Sequence, residues 1–506
     1  RRATPRPVDA SVVTAAHPGV KSARLFAALA AFAVPAVVFI ASASVEPGAW
    51  DTAELQGVPY ILGISHPTGF PFYVLLGYAW SHVAAVGTIA WRMNAMSGVA
   101  MGAACLAAYC AALEFGASLL VALFATLAFA FTPTVWEHAS RAEAQDVAVA
   151  CAAFAIVAFL RWMHGASARW FAAAFALYGL AMAAHPNALW ILPGLLFGAI
   201  AARRRPSLRL VALSAALTVA ALALYLYLPL RSLYVTSHGA DPAAALPGLQ
   251  GGLFWNYNDP HTAHGLALEL TGSEFGTPQY LFASFNPLHV AGALWAFVTG
   301  LNEQYGLAAA ILTGIGFLAA LRRDWRATLV VVAACTAGLV FSVIYPNESD
   351  VGRYRMLASW VAVPLLGALT PRSRGLPATV VQIALVVVLA LVAGASVERH
   401  RNFFHRLPGE GGRWVIRAVR PYVPAGSVIV TSWLDATSLA YGAYADGSLP
   451  GRIVVSDDRL DVPLYRRWTA GRRVFVLVNP HDQGAVAGAT DYARLDDYHE
   501  LYEVTP

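Results

Sequence analysis

Apolar runs close to bilayer length recur along this chain from residue 22 to residue 396, and a chain that carries so many must bury them in lipid. They fall at 22–44, 70–87, 94–113, 117–131, 146–162, 170–184, 187–202, 208–230, 304–321, 327–345, 353–370 and 378–396. Most approach the ~20 residues that a helix needs to cross hydrocarbon. Only 12% of the 506 residues are charged, against roughly 25% in soluble domains, too few to coat two or three water-soluble cores. The expected class is an all-α polytopic membrane protein.

Arginine placement orients the runs. Lys21, Arg24, Arg92, Arg161, Arg169, Arg203–Arg205, Arg322, Arg323 and Arg326 mark cytoplasmic turns, leaving 45–69, 132–145, 231–303 and 346–352 as outer loops. Three runs separate the first two outer loops, and an odd number cannot return the chain to one side. One run between 70 and 131 therefore fails to cross, and 117–131 is the candidate. About eleven crossings remain, with a cytoplasmic tail over 1–21 and an extracytoplasmic C-terminus. The first run has a basic start and small residues at Ala41–Ala43, as a signal peptide would, but its length and the spans after it favour a retained helix. Lys21 is the only lysine, a usage that points to a GC-rich bacterial genome and hence to an inner (cell) membrane. The basic surplus sits beside apolar runs, which suits anionic headgroups or a phosphorylated lipid and not nucleic acid. Cys105, Cys110, Cys151 and Cys335 lie within apolar stretches without metal-ligand spacing.

Beyond the membrane region (22–398) the character changes. Ser427–Thr431, Arg452–Val455 and Arg473–Val478 are short β-branched runs of the buried-strand type, with a helical stretch at 434–445 between two of them. Residues 399–506 are thus expected to form a small α/β domain resting on a basic stretch beside the bilayer.

The polar residues at the outer ends of the spans carry the chemistry. Asp51 and Glu54, three apart, share a helical face where the chain leaves the membrane. A sugar hydroxyl needs a base to take its proton, and desolvation would raise a carboxyl above ~3.9 and strengthen it. The same spacing is also a capping box. His66 suits either a phosphate or a turn. Trp136 and Glu143 flank a second polar loop, either a cavity wall or an interfacial loop with Arg141 paired to an acid. His185-Pro186-Asn187 breaks an apolar run and either lines a cavity or forms a turn. Arg231 ends a span as a phosphate ligand or a snorkelling cation. Asn256 and Asp259 lie in the long loop, followed by His261 and His264, which match no standard metal motif. Arg353 and Arg355 are secondary phosphate candidates.

In order, these segments resemble the multi-spanning O-mannosyltransferases whose eukaryotic member glycosylates IPT domains and which have many uncharacterised bacterial relatives. The family's Asp-x-Gly-Glu stands here as Asp51-Thr-Ala-Glu54, and its His-Pro-Pro-Gly-Tyr-Pro as His66-Pro-Thr-Gly-Phe-Pro71. Arg92-Met-Asn94, Thr132-Pro-Thr-Val-Trp136, Glu143-Ala-Gln145, the Tyr-Leu-Pro-Leu-Arg segment ending at Arg231 and Asn256–Pro260 follow in sequence. The match runs from about residue 45 to 280. Thr52-Ala53, Thr68 and Gln145 depart from the family's small-Gly pair, proline and tyrosine.

The resemblance implies a GT-C glycosyltransferase fold, a polyprenyl-phosphate sugar donor, inversion at the anomeric carbon and no metal or other cofactor. It implies Asp51 as general base, with Glu54, His66, Glu143 and Arg231 shaping the cavity and holding the donor phosphate. The expected activity moves a sugar, mannose by resemblance, to a hydroxyl of a protein or glycan acceptor on the non-cytoplasmic face. A transporter or flippase of a lipid-linked sugar is the alternative, although no paired repeat of the kind such proteins carry is visible.

Overall fold

The computed structural model describes residues 18–249, 251–284, 286–345, 351–404, 411–480, 486 and 489–506. Most of the expected N-terminal tail, the bulk of the 346–352 loop and Arg406 lie outside these. Among the described residues six helices are long and apolar enough to cross a bilayer, or eight if each of two bent pairs counts as one span. Shorter apolar helices at Arg169–Ala184 and Pro186–Ala201 accompany them. The 38-residue stretch Leu307–Ile344 covers two of the expected runs, because Asp324 leaves the helical region (φ −152°, ψ 90°) and breaks it.

The first four helices resolve the odd count. α1 (Pro18–Ser42) is a span whose exposed Leu25, Phe26, Leu29 and Val37 suit lipid contact. α2 (Trp50–Ile61) and α3 (Pro71–Val83) are too short to cross, and α4 (Ile89–Glu114) is the next span. Thr88 caps α4 by accepting the Trp91 N–H, and its hydroxyl donates to the Val45 carbonyl just beyond α1; the Asn94 amide donates to Ser44 O at 2.9 Å. The chain therefore leaves and re-enters at the same end of the bundle. The run at 70–87 does not cross, since it holds a 13-residue apolar helix, Pro71–Val83, with both ends on this side of the bundle; the expected candidate, 117–131, holds the 12-residue helix Leu119–Ala130, bent by 71° against Pro133–Ala139 as a broken span or a re-entrant loop. Arg92 changes ends with it. Its guanidinium is not a cytoplasmic marker but donates to the carbonyls of Ser81, Val86 and Gly87, closing the turn between α3 and α4.

The remaining basic turns gather at the opposite end. Glu114 at the end of α4 meets Arg161 (3.3 Å) and His164 (3.0 Å), and His164 also reaches Asp324 (3.7 Å). Arg323 donates to the carbonyls of Phe115 and Thr370. Between the two ends an alanine-rich core forms, in which Ala104, Ala108, Ala112, Ala153 and Ala155 allow close helix contacts around Phe159, Trp162 and Trp360.

The C-terminal domain is a five-stranded mixed sheet, β1 (Val428–Thr431), β2 (Ile453–Ser456), β3 (Val474–Val478), β4 (Ala489–Arg494) and β5 (Glu500–Val504), in the order β2-β1-β3-β5-β4. β2, β1 and β3 are parallel; β5 and β4 add antiparallel. The parallel strands are the ones legible as β-branched runs, being buried on both faces. The chain departs to opposite sides of β1, which makes the carboxyl edge of β1 a topological switch point. The helix Trp433–Ala440 begins there and lies on α2. Ser438 donates to Gly48 O at 2.8 Å, and the Ala90 N–H donates to the Tyr441 hydroxyl at 3.0 Å. Leu55, Val58, Tyr73 and Val74 share one apolar core with Ile416, Leu439 and Tyr441, so the domain is seated on the end of the bundle where α1 and α4 meet.

Candidate active site

A cavity of about 590 Å³ opens where α2, the loop 62–70, the break at His185 and the C-terminal domain meet. Its polar side carries Asp51, His66, Glu143, His185 and Arg353. Its other side is apolar, with Leu189, Trp190, Leu281, Phe282 and Phe341. Leu189 and Phe282 are also exposed, so this side reaches the surface of the bundle.

Asp51 lies in the first turn of α2, and both of its oxygens are engaged. Oδ2 accepts from both terminal nitrogens of Arg353, each at 3.1 Å, and Oδ1 accepts the indole N–H of Trp433 at 2.9 Å. His66 Nε2 stands 3.9 Å from Oδ2. Burial pushes the Asp51 carboxyl up, but His66, Arg353 and the Trp433 N–H outweigh it and hold the group below its ordinary value. This reverses the expectation of a base strengthened by desolvation: the His66 cation of the following loop and Arg353, 302 positions away, both act on the carboxylate.

Glu54 follows one turn later and is fully buried. One of its oxygens accepts the His66 backbone N–H at 2.8 Å, and the other pairs with His66 Nδ1. The Asp51–Glu54 pair is thus no capping box; Glu54 fastens the loop 62–70 to α2. Burial pushes its carboxyl up, and His66 offsets this only in part. For His66 burial pulls the pKa down, but Glu54 and Asp51 pull harder and raise it to about 9. The imidazolium lies between two carboxylates, edge-on to Phe70, Phe275 and Trp433.

Glu143 caps the helix Ala144–Met163 and stands 3.5 Å from Arg353 and 3.6 Å from His138 Nδ1. Burial pushes it up, but Arg353 and His138 hold it well below the usual carboxylate range. Arg353 therefore bridges two acids, Asp51 and Glu143, and its guanidinium also lies 5.4 Å from the Tyr354 ring centre. His185 stacks on Phe70 with ring centres 5.2 Å apart. Its Nδ1 accepts the Asn187 N–H at 3.1 Å, which in the neutral ring leaves Nε2 as the donor.

Six of the ten candidates thus gather: Asp51, His66, Glu143, His185 and Arg353 line the cavity, and Glu54 supports it from behind. The other four do not line it. Trp136 donates to Ser42 Oγ at 3.0 Å, tying the segment 132–145 to the end of α1. Arg231 donates to Ile61 O at 3.3 Å and lies 5.0 Å from the Tyr234 ring centre, where it closes the end of α2. Asn256 donates to Asp259 at 2.7 Å, and Asp259 accepts from Ser232 and meets His261, so this group locks the long loop. Asn94, from the Arg-x-Asn motif, accepts from Gln56 and from the Ala142 N–H and likewise joins segments. Trp433 was not legible as a site residue. Its one local signal is its position just after a buried parallel strand, where open α/β sheets place ligands. Among the described residues no three His, Cys, Asp or Glu side chains gather as metal ligands.

Residues 51–209 match the family model described as the protein O-mannosyl-transferase TMEM260 N-terminal domain. A curated relative, the protein O-mannosyl-transferase tmem260 of Dictyostelium discoideum, is 28% identical over 95 residues, covering 18% of this chain and 12% of that protein. Among solved structures, ArnT from Cupriavidus metallidurans in the apo state superposes with a TM-score of 0.54 at 14% identity, over 94% of this chain and 98% of ArnT. ArnT bound to undecaprenyl phosphate gives 0.53 at 13% identity, over 97% and 100%. The archaeal oligosaccharyltransferase AglB from Archaeoglobus fulgidus, in complex with an inhibitory peptide and a dolichol-phosphate, gives 0.50 at 13%, over 90% and 70%. At such identities the structural likeness speaks for the fold alone, and the segment similar to the O-mannosyl-transferase model contains Asp51, Glu54, His66 and Glu143. The chain is an integral multi-pass membrane protein of the GT-C fold, and its residues 51–209 are similar to the N-terminal domain of the transmembrane O-mannosyltransferases.

Proposed function

We propose that this protein is a membrane glycosyltransferase that moves a sugar, mannose on the strength of the family match, from a polyprenyl-phosphate donor to an acceptor hydroxyl. The observation that carries this reading is the clamp on Asp51: a carboxylate at the polar side of a large cavity, held by Arg353 and Trp433, with an apolar side opposite that suits a prenyl chain. ArnT and AglB have both been captured with polyprenyl phosphates, which supports a donor of that class. The AglB complex with a peptide supports a polypeptide acceptor, beside a glycan one.

The step balances as a single displacement. The acceptor oxygen attacks the anomeric carbon from the face opposite the phosphate while its proton passes to Asp51. The carbon–oxygen bond to the phosphate breaks with its electron pair on the departing polyprenyl phosphate, so configuration inverts. Arg353 and His66 supply positive charge where that phosphate would sit. Competition for Arg353 has a second effect. A donor phosphate drawing the guanidinium away from Oδ2 makes Asp51 a stronger base once the donor is bound. No metal is needed in this scheme, because Arg353 provides the cation between Asp51 and Glu143.

The basic end of the bundle, with Arg161, Arg203–Arg205 and Arg322–Arg326, is assigned to the cytoplasm by its charge. The active site and C-terminal domain then face outward, in a bacterial cell membrane. Purified protein offered a panel of polyprenyl-phosphate sugars and hydroxyl acceptors tests the reading. Release of polyprenyl phosphate with a glycosylated product is the expected result; movement of donor across vesicles without cleavage would replace it with a flippase.

A further inference from the structure

A second groove, of about 320 Å³, lies away from the cavity at the seam between the bundle and the C-terminal domain. It is lined by Val45 and Glu46 just past α1, Thr88 at the start of α4, and Arg413, Arg417 and Arg420. The arginines come from the amphipathic helix Gly412–Val419 and the residue after it. Val415, Ile416 and Val419 turn into the shared apolar core, while Arg417 and Arg420 are exposed.

Two features point to an anion in this groove. The first is charge. Arg413 pairs with Asp446 at 2.9 Å, and Arg417 reaches Glu46 only at 3.9 Å. Among the described residues the Arg420 guanidinium has no ion pair, while Arg452 lies near enough to repel it. Among the described residues the three arginines of the groove thus have two acidic partners, Asp446 and Glu46. The second is depth. The groove floor is formed where two spans, α1 and α4, reach the same end of the bundle. Val45, Val83 and Val86, in the chain segments joining those spans, are 58%, 86% and 70% exposed. Apolar side chains left bare at the end of a span belong at the boundary between acyl chains and headgroups, the depth of a lipid phosphate.

We propose that this groove binds the headgroup of an anionic glycerophospholipid of the leaflet on the active-site side. The bound headgroup straps the C-terminal domain, and with it Trp433, to the bilayer. The site is independent of the glycosyl-transfer reading and does not touch the catalytic cavity.

The test uses full-length protein in nanodiscs of phosphatidylcholine with graded phosphatidylglycerol, with retained lipid counted by native mass spectrometry. Wild type is expected to retain phosphatidylglycerol in preference. The Arg417→Gln/Arg420→Gln variant should lose one tightly held anionic lipid, with affinity lowered on the order of tenfold or more, as expected for two surface arginines at roughly fivefold each. Both positions are exposed, and an unchanged thermal transition in detergent would confirm that the variant folds. Equal retention of the two lipids by wild type, or an unchanged count in the variant, would overturn the proposal. So would displacement of the lipid by millimolar inorganic phosphate, which would make the ligand a soluble anion.

Discussion

Arg353 holds Asp51 through both terminal nitrogens at 3.1 Å, although the two residues are 302 positions apart in the chain. The pairing joins the segment after α1 to a late one and sets the charge of the carboxylate that serves as base in the proposed reaction. Asp51→Asn keeps the shape of the side chain but removes the proton acceptor. Transfer is expected to fall by about 10²–10⁴-fold, the usual contribution of a general base, while expression and the thermal transition in detergent stay within error. Full activity in this variant would remove Asp51 from the mechanism.

Arg353→Lys separates the two roles of the arginine. A lysine keeps one positive charge but cannot donate two parallel bonds to Oδ2. The expected outcome is a higher KM for the polyprenyl-phosphate donor together with a lower kcat, because both phosphate binding and the setting of Asp51 suffer. A KM unchanged within twofold would show that the donor phosphate does not compete with Asp51 for this residue.

Trp433 offers a cleaner probe, since Trp433→Phe retains a ring against His66 and Tyr257 and loses only the N–H to Oδ1. A hydrogen bond to a charged group contributes about 1.5–3 kcal/mol. The carboxylate keeps Arg353, so a fall in kcat of roughly tenfold is expected, with donor KM little changed. An unaltered rate would reduce the C-terminal domain to a cover.

The sequence made the fold class legible because apolar length is a one-dimensional property: a span announces itself without reference to its neighbours. α3 escaped for the same reason, as a 13-residue surface helix with an apolar face has the composition of a crossing. Only the bonds of Thr88 to Val45 and Asn94 to Ser44 reveal that the chain never left that end. The strands of the C-terminal domain divide likewise: β1–β3 are runs of β-branched and other apolar residues broken only at Thr431 and Ser456, while the polar Ala-Thr-Asp-Tyr-Ala-Arg of β4 carries no such mark. At the site, the motifs supplied Asp51, Glu54, His66 and Glu143, which the structure brings together at the cavity. They could not supply Trp433, nor the direction of the Asp51 shift, because Arg353 and the indole N–H come from beyond the motifs and the proximity of His66 to Asp51 is set by the fold. Arg231 stands apart from the cavity, and its position at the end of a span could not tell a phosphate contact from the bond it makes here to the Ile61 carbonyl.

Metal removal follows from the bridge that Arg353 makes between Asp51 and Glu143. If the guanidinium serves as the cation between these acids, millimolar EDTA should leave the transfer rate unchanged, and added Mg²⁺ or Mn²⁺ should not raise it. Loss of activity on chelation, restored by one divalent ion, would mean that a metal displaces Arg353 in the working enzyme.

Stability should depend on pH through His66. Its pKa is about 9 in the folded protein against about 6.5 when unfolded, because Glu54 and Asp51 overcome the penalty of burial. A raised folded pKa means that the folded state binds the proton more tightly. The stabilisation is complete below about pH 6.5 and is lost as pH rises through 9. Asp51 acts with the opposite sign: its folded pKa is depressed, so its contribution is present above ~4 and disappears as pH falls further. The apparent melting temperature in detergent should therefore decline between about pH 7 and 9, well before tyrosine or arginine titrates. Glu54→Gln removes the strongest of the pulls on the imidazole, so the His66 pKa drops towards or below 6.5 and the alkaline decline moves to lower pH with it. The variant should also be less stable at pH 7, because the loop 62–70 loses a charged anchor on α2. An alkaline limb that stays in place in Glu54→Gln would mean that a group other than His66 controls it.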